Sequence, residues 1–433
     1  MAAYYRVAMW TDVIPALNLA LIWLLGLTCA FIFLNQSRVS KTLARLKYPL
    51  LFLLLVALFI RLVPLLLLPV GAGYDIESFH LVGNAFLNGE EIYTSAARGR
   101  HPYLPLHLYL IGFLTHLSRI TPLPFVVWIK LPAVIADLLI TAVIYDVFRR
   151  WHETESAAAF WALLYALNPI SVLVTSYHGQ FDSLPVLLLL FSWFTWHFGR
   201  QITKSAVFSG FSILYKTWPI IFLPVIFIRL PDNRRRLTYI LISIGIPVAF
   251  TAAYVLIMDS NPVPMLRRAL THSGVPGYWG LSALIYVPGG FWLDSEAVVA
   301  AILPYQRVIL LLAGLFALWW TRRQSALDAL LTILLTIFSV TFGMGIQWLL
   351  WPVAFAIVAR EERWLKWYTI MGTLMMFIHL YGLHLYPWAR QIFEPAVADA
   401  LIRISFLPVW IVILLWTINR LRRANESLVA LPS

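Results

Sequence analysis

The feature that most constrains this chain is a series of long apolar runs, most of them long enough to cross a membrane. A membrane-spanning helix needs about 20 mostly apolar residues. Runs near or above this length occupy residues 13–34, 48–70, 125–147, 157–176, 183–199, 237–257, 297–319, 326–343, 368–388 and 399–418, with a shorter one at 346–359. The pattern predicts an all-α, polytopic membrane protein with about 11–13 transmembrane helices.

The composition supports a membrane protein and excludes several soluble classes. Of the 433 residues, 61% are hydrophobic and 12% are charged, whereas soluble domains contain about 25% charged residues. A water-soluble enzyme, a disordered chain and a nucleic-acid-binding protein are therefore excluded. The single cysteine, Cys29, cannot form an internal disulfide. No P-loop sequence is present, so we do not expect ATP-driven transport.

The net charge of +12 reflects membrane topology rather than a polyanionic partner. Most basic residues fall in alternate loops, and such loops are usually cytoplasmic. The 20 residues on this side are Arg38, Lys41, Arg45, Lys47, Arg149, Arg150, Arg200, Lys204, Arg229, Arg234, Arg235, Arg236, Arg322, Arg323, Arg360, Arg363, Lys366, Arg420, Arg422 and Arg423. The opposite loops contain only Arg98, Arg100, Arg267, Arg268 and Arg390. We predict a multi-pass protein of a bacterial or archaeal plasma membrane, with its long loops outside.

Two segments do not fit a simple count of spans. Residues 103–119 are apolar, but a span there would move Arg149 and Arg150 outside, so we predict a helix at the outer interface. Residues 206–230 have basic flanks at both ends, which predicts a hairpin of two half-helices broken around Lys216. Such a break is stable at membrane depth only where it is buried in protein or lines a wet cavity. It is therefore a candidate part of a site.

Ionisable residues are dense in the first outer loop, residues 71–104. Apolar residues recur at helical spacing between 79 and 86, which predicts a helix along the membrane with Asp75 in its first turn. An acid at this position stabilises a helix start. A carboxylate at the boundary between water and lipid is also suited to act as a general base toward a hydroxyl.

Six charged residues lie within or beside apolar runs, where a charge is costly unless it is paired or faces a cavity. They are Arg61, Lys130, Asp137, Lys216, Arg307 and Arg403. We expect Arg61 and Arg403 to extend toward a membrane interface. Lys130 and Asp137 are seven residues apart, so they share a helix face but are too distant to pair directly. Lys216, beside the predicted break, is the strongest functional candidate of the group.

Three further outer segments carry polar residues that have both a structural and a functional explanation. These residues are His178, Gln180, Asp182, Arg267, Arg268, His272 and Gln347. The first three lie in a YHGQFDS loop that is equally well explained as a polar turn. The paired arginines suit a phosphate or a lipid headgroup. Gln347 begins a Trp-rich span, where an aromatic belt at the interface is the alternative.

Several motifs follow one another in a characteristic order on the outer side. They are Asp75 with a helix over 79–87, HPYLP at 101–105, ADLL at 136–139, NP at 168–169, HGQFDS at 178–183, KTWP at 216–219 and IQWLLW at 346–351. Together they resemble the GT-C superfamily of polytopic, polyprenyl-phosphate-sugar-dependent glycosyltransferases, especially the GPI mannosyltransferases and the dolichyl-phosphate-glucose glucosyltransferases. The resemblance covers residues 48–360. An extra N-terminal span, and YLPL where the family has YPPL, depart from its pattern.

The resemblance implies an inverting transfer of a hexose, mannose or glucose, from a polyprenyl-phosphate donor to a lipid-linked glycan or glycolipid, without a metal or other cofactor. We assign Asp75 as general base, and Arg267 or Arg268, with Lys216 as a weaker candidate, as stabilisers of the leaving phosphate. We expect sugar or acceptor contacts from Glu77, His178, Gln180, Asp182, His272 and Gln347. The first loop has no Asp-x-Asp pair, so activity is expected to persist in excess chelator.

The length and composition predict a single integral-membrane domain over residues 1–433. Within it, residues 1–47 would form an extra span and a basic cytoplasmic loop, 48–360 a GT-C-like core, and 361–433 the last spans and a basic tail. A secondary transporter or lipid flippase is the alternative, because it would also need intramembrane charges and a broken helix. A paired repeat with breaks at matching positions would favour transport, and the sequence shows one convincing break.

Overall fold

The structure is a computed structural model that describes residues 9–67, 73–271, 274–280, 282–286, 295–379 and 394–429. Its α-helices are α1 (Met9–Ile32), α2 (Gln36–Leu43), α3 (Pro49–Leu67), α4 (Gly73–Leu87), α5 (Pro105–Ile120), α6 (Phe125–Arg150), α7 (Glu155–Ala166), α8 (Pro169–Val172), α9 (Ser183–Gly199), α10 (Ile202–Tyr215), α11 (Phe222–Phe227), α12 (Asn233–Ile257), α13 (Pro262–Thr271), α14 (Ser295–Ile302), α15 (Gln306–Trp320), α16 (Ala326–Val340), α17 (Trp351–Val358), α18 (Glu362–Phe377), α19 (Pro395–Ile404) and α20 (Leu407–Val429). Two short strands, β1 (Val275–Pro276) and β2 (Gly343–Met344), pair antiparallel. The predicted all-α class is confirmed.

Five helical segments within the described residues are long and apolar enough to cross a membrane: Pro49–Leu66, Phe125–Arg150, Asn233–Ile257, Ala297–Trp320 and Ala400–Glu426. A sixth span arises if the bent pair of Glu155–Ala166 and Pro169–His178 counts as one. Shorter apolar helices are Leu21–Ile32, Ser183–Gly199, Trp218–Phe227, Ala326–Val340 and Ile346–Val358. The protein is therefore a multi-pass membrane protein in which several apolar runs are divided into shorter helices.

The core of the bundle lies around α6, where 61% of the apolar window is buried inside the protein. At the periphery, the corresponding fraction of Ala297–Trp320 is 11%. The difference follows from the surroundings, because a helix whose face contacts lipid does not need protein to cover its leucines. Helix α6 is thus the central element against which the site residues are arranged.

Helix breaks divide two of the predicted runs. Between α7 and α8, the side chain of Asn168 accepts hydrogen bonds from the backbone N–H groups of Ile170 and Ser171, which caps the second helix. The bend at this break is 43°. The break predicted at Lys216 is also confirmed: α10 ends at Tyr215, and Lys216 is extended, with φ −143° and ψ 146°. Proline follows each break, at a position where a continuing helix would lose a backbone hydrogen bond.

Polar contacts join the loops that were predicted to be cytoplasmic at one end of the bundle. We call this the basic end; it comprises the loops at 34–47, 149–155, 229–236, 321–328, 360–366 and 420–423. Arg360 pairs with Glu153 at 2.6 Å, and Arg229 Nη2 donates to the carbonyl of Thr321 at 2.9 Å. Lys366 Nζ donates to the carbonyl of Leu34 at 2.7 Å. These contacts agree with the prediction that the basic loops share one side.

The first outer loop and α13 meet at the other end, which we call the site end. It comprises residues 73–104, 177–183, 216–221 and 262–271. Tyr254 Oη accepts a hydrogen bond from the backbone N–H of Ile92 at 3.1 Å. Arg268 Nε donates to the carbonyl of Arg98 at 2.9 Å. Helix α5 also lies here, packed against α4. The interfacial position of residues 103–119 stays a prediction.

Arg61, one of the two arginines that were expected to extend toward an interface, does not do so. Arg61 is fully buried and pairs with Asp137 at 2.7 Å. The expectation was wrong because α3 packs against α6, which brings the guanidinium directly to a carboxylate that also needs a partner. Arg403 Nη1 donates to the carbonyl of Gly277 at 3.2 Å, and its guanidinium lies 4.8 Å from the ring centroid of Tyr278.

Candidate active site

Asp75 occupies the first turn of α4, as predicted, at the site end of the bundle. Its side chain is 31% exposed. Behind it, Nε2 of His178 lies 3.1 Å from Oδ2 of Asp75, and Gln180 hydrogen-bonds to the same carboxylate. Ile76 and Phe79, on the same helix, are buried and fix its orientation. The carboxylate therefore has two polar partners on its protein side and one side open.

Asp182 and Lys216 form a second ion pair in the same region. Lys216 Nζ lies 2.8 Å from each carboxylate oxygen of Asp182, and the two side chains are 6% and 0% exposed. Trp351 Nε1 donates to Oδ1 of Asp182 at 2.6 Å. The ring of Trp351 stacks on Trp218, with centroids 4.4 Å apart and planes 12° apart. The helix break at Lys216 and the IQWLLW segment are thereby joined through one carboxylate.

Aromatic rings surround the amine of Lys216. Its Nζ lies 4.6 Å from the ring centroid of Phe181 and 5.3 Å from that of Tyr103. His107 stacks on Phe181 with centroids 3.4 Å apart. Burial lowers the pKa of His101 to about 3, and burial also lowers the pKa of His107 well below its ordinary value. Both imidazoles are therefore neutral, and they add packing around the amine without repelling its charge.

The turn that carries His178 and Asp182 has an unusual backbone. Residues Leu173–His178 form a π-helix, a form that often occurs at functional sites. Gly179 follows in the left-handed region with φ +80°. A methyl group there would lie 2.7 Å from Cδ1 of Ile76 and 3.2 Å from Cε of Lys130. Only glycine combines this conformation with such close packing, so the turn between α8 and α9 is specified by its sequence.

The electrostatics of Asp75 favour its ionised form. Burial alone raises the pKa of this carboxyl. The contacts with His178 and Gln180 and the nearby charge of Lys216 outweigh burial and hold the pKa below its ordinary value. At neutral pH the carboxylate of Asp75 is therefore ionised and open on one side. The nearby amine of Lys216 is held in place by the carboxylate of Asp182.

The arrangement of Asp75 and Lys216 is suited to acid–base chemistry. The open carboxylate can accept a proton from a hydroxyl, and the amine of Lys216 can stabilise negative charge that develops nearby. Across the described ranges, no three side chains of His, Cys, Asp or Glu come together in a group that could hold a metal ion.

The segment that carries most of these side chains matches a known family. Residues 102–352, more than half of the chain, match the model described as glycosyltransferase family 87. The chain belongs to this family. Family 87 is a membrane family of the GT-C type, so the predicted superfamily is confirmed. A comparison with curated proteins finds no match.

Membership of family 87 makes this protein an enzyme that transfers glycosyl groups, and it leaves the transporter alternative without support. The matched residues include His178, Asp182 and Lys216. Asp75 precedes the matched segment, on the helix that packs against α5, where the match begins.

Several predicted site residues have no contact with Asp75, Asp182 or Lys216 among those described above. Arg267 and Arg268 are exposed on α13, and Glu77 is exposed on α4. Gln347 is half-buried, and its segment reaches the site through Trp351 instead. His272 lies outside the described residues. The assignments of these residues to donor or acceptor binding stay predictions.

Sequence reasoning missed three contributors to the site. Trp351 belongs to the IQWLLW motif, but its hydrogen bond to Asp182 depends on a fold that joins residues 169 positions apart. Tyr103 belongs to the HPYLP motif and was not singled out. Arg100 lies with its guanidinium 4.3 Å from the ring centroid of Tyr74, next to Asp75 in sequence, and donates to Ser78 Oγ at 3.2 Å. Its place among the ionisable residues of the first predicted outer loop was the available signal.

Proposed function

We propose that this family 87 enzyme transfers a hexose, mannose or glucose, from a polyprenyl-phosphate monosaccharide to a hydroxyl of a lipid-linked or cell-envelope acceptor. The proposed site faces the outer side of the plasma membrane, opposite the basic end. The acceptor oxygen forms a bond to the anomeric carbon while the bond from that carbon to the phosphate oxygen breaks. One such displacement inverts the anomeric configuration, and polyprenyl phosphate leaves.

Asp75 is the general base in this proposal. The observation that supports it is the open side of a carboxylate whose other contacts, His178 and Gln180, lie on the protein side. A base must be ionised before it can accept the proton of the acceptor hydroxyl, and the lowered pKa of Asp75 meets this condition. His178 and Gln180 would hold the carboxylate in position and contact the sugar.

The leaving phosphate requires a cation. Among the three predicted phosphate-binding residues, Lys216 is the one whose charge lowers the pKa of Asp75. Its hydrogen bonds to Asp182 fix the position of its amine. We therefore place Lys216 first among the phosphate-binding candidates, ahead of Arg267 and Arg268 on the exposed face of α13. Fixed charges of this kind stabilise a transition state without reorganisation. Additional sugar or acceptor contacts would come from Glu77, Asp182, His272 and Gln347.

The proposal uses one integral-membrane domain over residues 1–433, with residues 48–360 as the catalytic core. A lipid-linked donor is consistent with a site at the end of a membrane helix bundle, because its tail can remain in the bilayer while its phosphate reaches the site. The donor and the acceptor would both be embedded in, or attached to, the same membrane. Membrane lipids are therefore part of the enzyme's working environment.

The test is transfer by the full-length protein in proteoliposomes. Radiolabelled polyprenyl-phosphate mannose and polyprenyl-phosphate glucose are compared with GDP-mannose and UDP-glucose, with a bacterial membrane-lipid extract as acceptor and excess EDTA throughout. We expect labelled glycolipid from a lipid-phosphate donor alone. Label transferred only from a nucleotide sugar, no consumption of either lipid donor, or transfer that requires added Mn²⁺ or Mg²⁺ would contradict the proposal.

A further inference from the structure

The buried ion pair of Arg61 and Asp137 is hydrogen-bonded to the segment that carries His178 and Asp182. Arg61 Nε and Asp137 Oδ2 are 2.7 Å apart, and both side chains are 0% exposed. The guanidinium is also satisfied by backbone, because its Nη1 donates to the carbonyls of Ala57 at 3.1 Å and Ala166 at 2.9 Å. Since Arg61 offsets the charge of Asp137, this pair brings no net charge to the site. Its contribution must come through geometry.

Asp137 accepts hydrogen bonds from hydroxyl groups on both sides of the turn that carries His178 and Asp182. Before the turn, Ser171 Oγ and Thr175 Oγ1 each donate to Oδ2 at 3.0 Å. After the turn, Ser183 Oγ donates to Oδ1 at 2.6 Å. Tyr165 Oη donates to the same Oδ1 at 2.7 Å. One carboxylate on the central helix α6 thus fixes both stems of the segment that contains the site residues.

The turn between these two stems carries three of the polar side chains of the site. His178 and Gln180 contact Asp75, and Asp182 holds Lys216. Ser183 is the neighbour of Asp182 in sequence, so the hydrogen bond from Ser183 to Asp137 is one residue away from the pairing with Lys216. The backbone N–H of Gln180 also donates to the carbonyl of Val174 at 3.0 Å, which ties the turn to its first stem.

We propose that Asp137 is a positioning residue that acts through Ser183 and Thr175 to hold the 177–183 turn against Asp75 and Lys216. Asp137 itself touches neither substrate nor reacting atoms. The effect on catalysis rests on the proposed function, whereas the effect on the turn does not. Buried, fully satisfied polar groups of this kind specify one conformation, and a displacement of about 1 Å at a catalytic group reduces turnover strongly.

The test uses Ser183→Ala, since Asp137 retains four of its donors in this variant and the ion pair with Arg61 remains. Ser192→Ala is the matched control: Ser192 is buried on the same helix α9 and donates to the carbonyl of Ser205 at 2.8 Å, away from the site. Ser183→Thr retains a hydroxyl and serves as the rescue. Each full-length variant is assayed in proteoliposomes for kcat, for KM of the lipid donor and for amide hydrogen exchange of residues 177–183.

We expect Ser183→Ala to lower kcat about tenfold with KM for the donor changed less than about threefold, and to speed exchange in 177–183 about five- to tenfold. Ser192→Ala should leave kcat and exchange in this turn unchanged, and Ser183→Thr should restore both. The proposal would be overturned if residues 177–183 exchanged no faster in Ser183→Ala than in the wild type, or if Ser192→Ala lost as much kcat as Ser183→Ala. Faster exchange in a protein whose wild type shows no transfer would uphold the positioning role and refute the proposed reaction instead.

Discussion

Two carboxylates of this protein, Asp137 and Asp75, illustrate two ways of keeping a charge near a membrane. Asp137 is 0% exposed, pairs with a 0% exposed Arg61 and accepts hydrogen bonds from four hydroxyl groups. Asp75 is 31% exposed and lies 3.1 Å from Nε2 of a 7% exposed His178. The first carboxylate is enclosed by partners on all sides, whereas the second has a free side. A saturated carboxylate can hold structure in place, and an open one can accept a proton.

The comparison predicts a separation of effects. Removing a partner of Asp137 should reduce stability or displace the site, whereas changing Asp75 should reduce turnover in a protein that remains folded. The following variants test the separation, beginning with the largest expected effect.

Arg61→Gln should destabilise the protein by about 3–5 kcal/mol, because it leaves the buried carboxylate of Asp137 without its cation. The measurement is thermal unfolding in detergent micelles. Arg150→Gln is the control, since Arg150 pairs with Asp146 where the side chains are 49% and 47% exposed, and such a pair contributes about 0–1 kcal/mol. Equal unfolding temperatures for the two variants would refute the structural role of the enclosed pair.

The variant that combines Lys216→Met with Asp182→Asn replaces both members of the buried ion pair of the candidate active site. It should lower turnover about a hundredfold, because a fixed cation near the leaving phosphate is lost. Changing both residues avoids an unpaired buried charge. Lys204→Met, exposed near the other end of α10, is the control. Initial rates with saturating lipid donor provide the readout. If the double variant turned over as fast as Lys204→Met, Lys216 would have no role in the mechanism.

Gly179→Ala should lower turnover about tenfold, because the left-handed backbone costs about 1–2 kcal/mol for a residue with a β-carbon and the methyl group would lie 2.7 Å from Ile76. Gly89→Ala is the matched control: Gly89 has φ +77°, but a methyl group there meets nothing within 4 Å. Both variants carry the backbone cost, so the comparison of their initial rates isolates the crowding at the turn. Identical rates would show that the close packing of the turn is unimportant.

His178→Gln should move the acid limb of the pH–rate profile to higher pH. A base must be deprotonated, so activity is lost as pH falls through its pKa, and in the wild type that pKa is held below its ordinary value. Without the imidazole, the two largest of the effects that lower the pKa of Asp75 are lost, so this pKa rises relative to that in the wild type. Profiles of kcat/KM are compared with those of Glu90→Gln, an exposed change in the same loop. An acid limb that does not move would show that His178 does not tune the base.

The sequence was sufficient to predict the class of the fold and the local structure around several residues of the candidate site. Apolar runs predicted a polytopic helical protein, and the position of Asp75 in the first turn of a helix followed from the spacing of apolar residues. The break at Lys216 followed from basic residues on both sides of one run. These features are local, since each depends on residues that are close in sequence.

Long-range pairing could not be predicted in the same way. Arg61 and Asp137 are 76 positions apart, and nothing in either apolar run indicates that their helices are neighbours. The same holds for Trp351 and Asp182. The π-helix before Gly179 has no periodic signature of its own, because it is a single irregular turn within an apolar segment. Side-chain spacing predicts which residues share a face, but only packing determines which faces meet.

The most direct test of the central claim is the turnover of Asp75→Asn, measured with a polyprenyl-phosphate hexose alongside donor binding and thermal unfolding of the same preparation. The account predicts that turnover falls about a hundredfold or more, while donor binding and unfolding temperature stay close to those of the wild type and of Glu90→Gln. Turnover close to that of the wild type would contradict the assignment of Asp75 as general base.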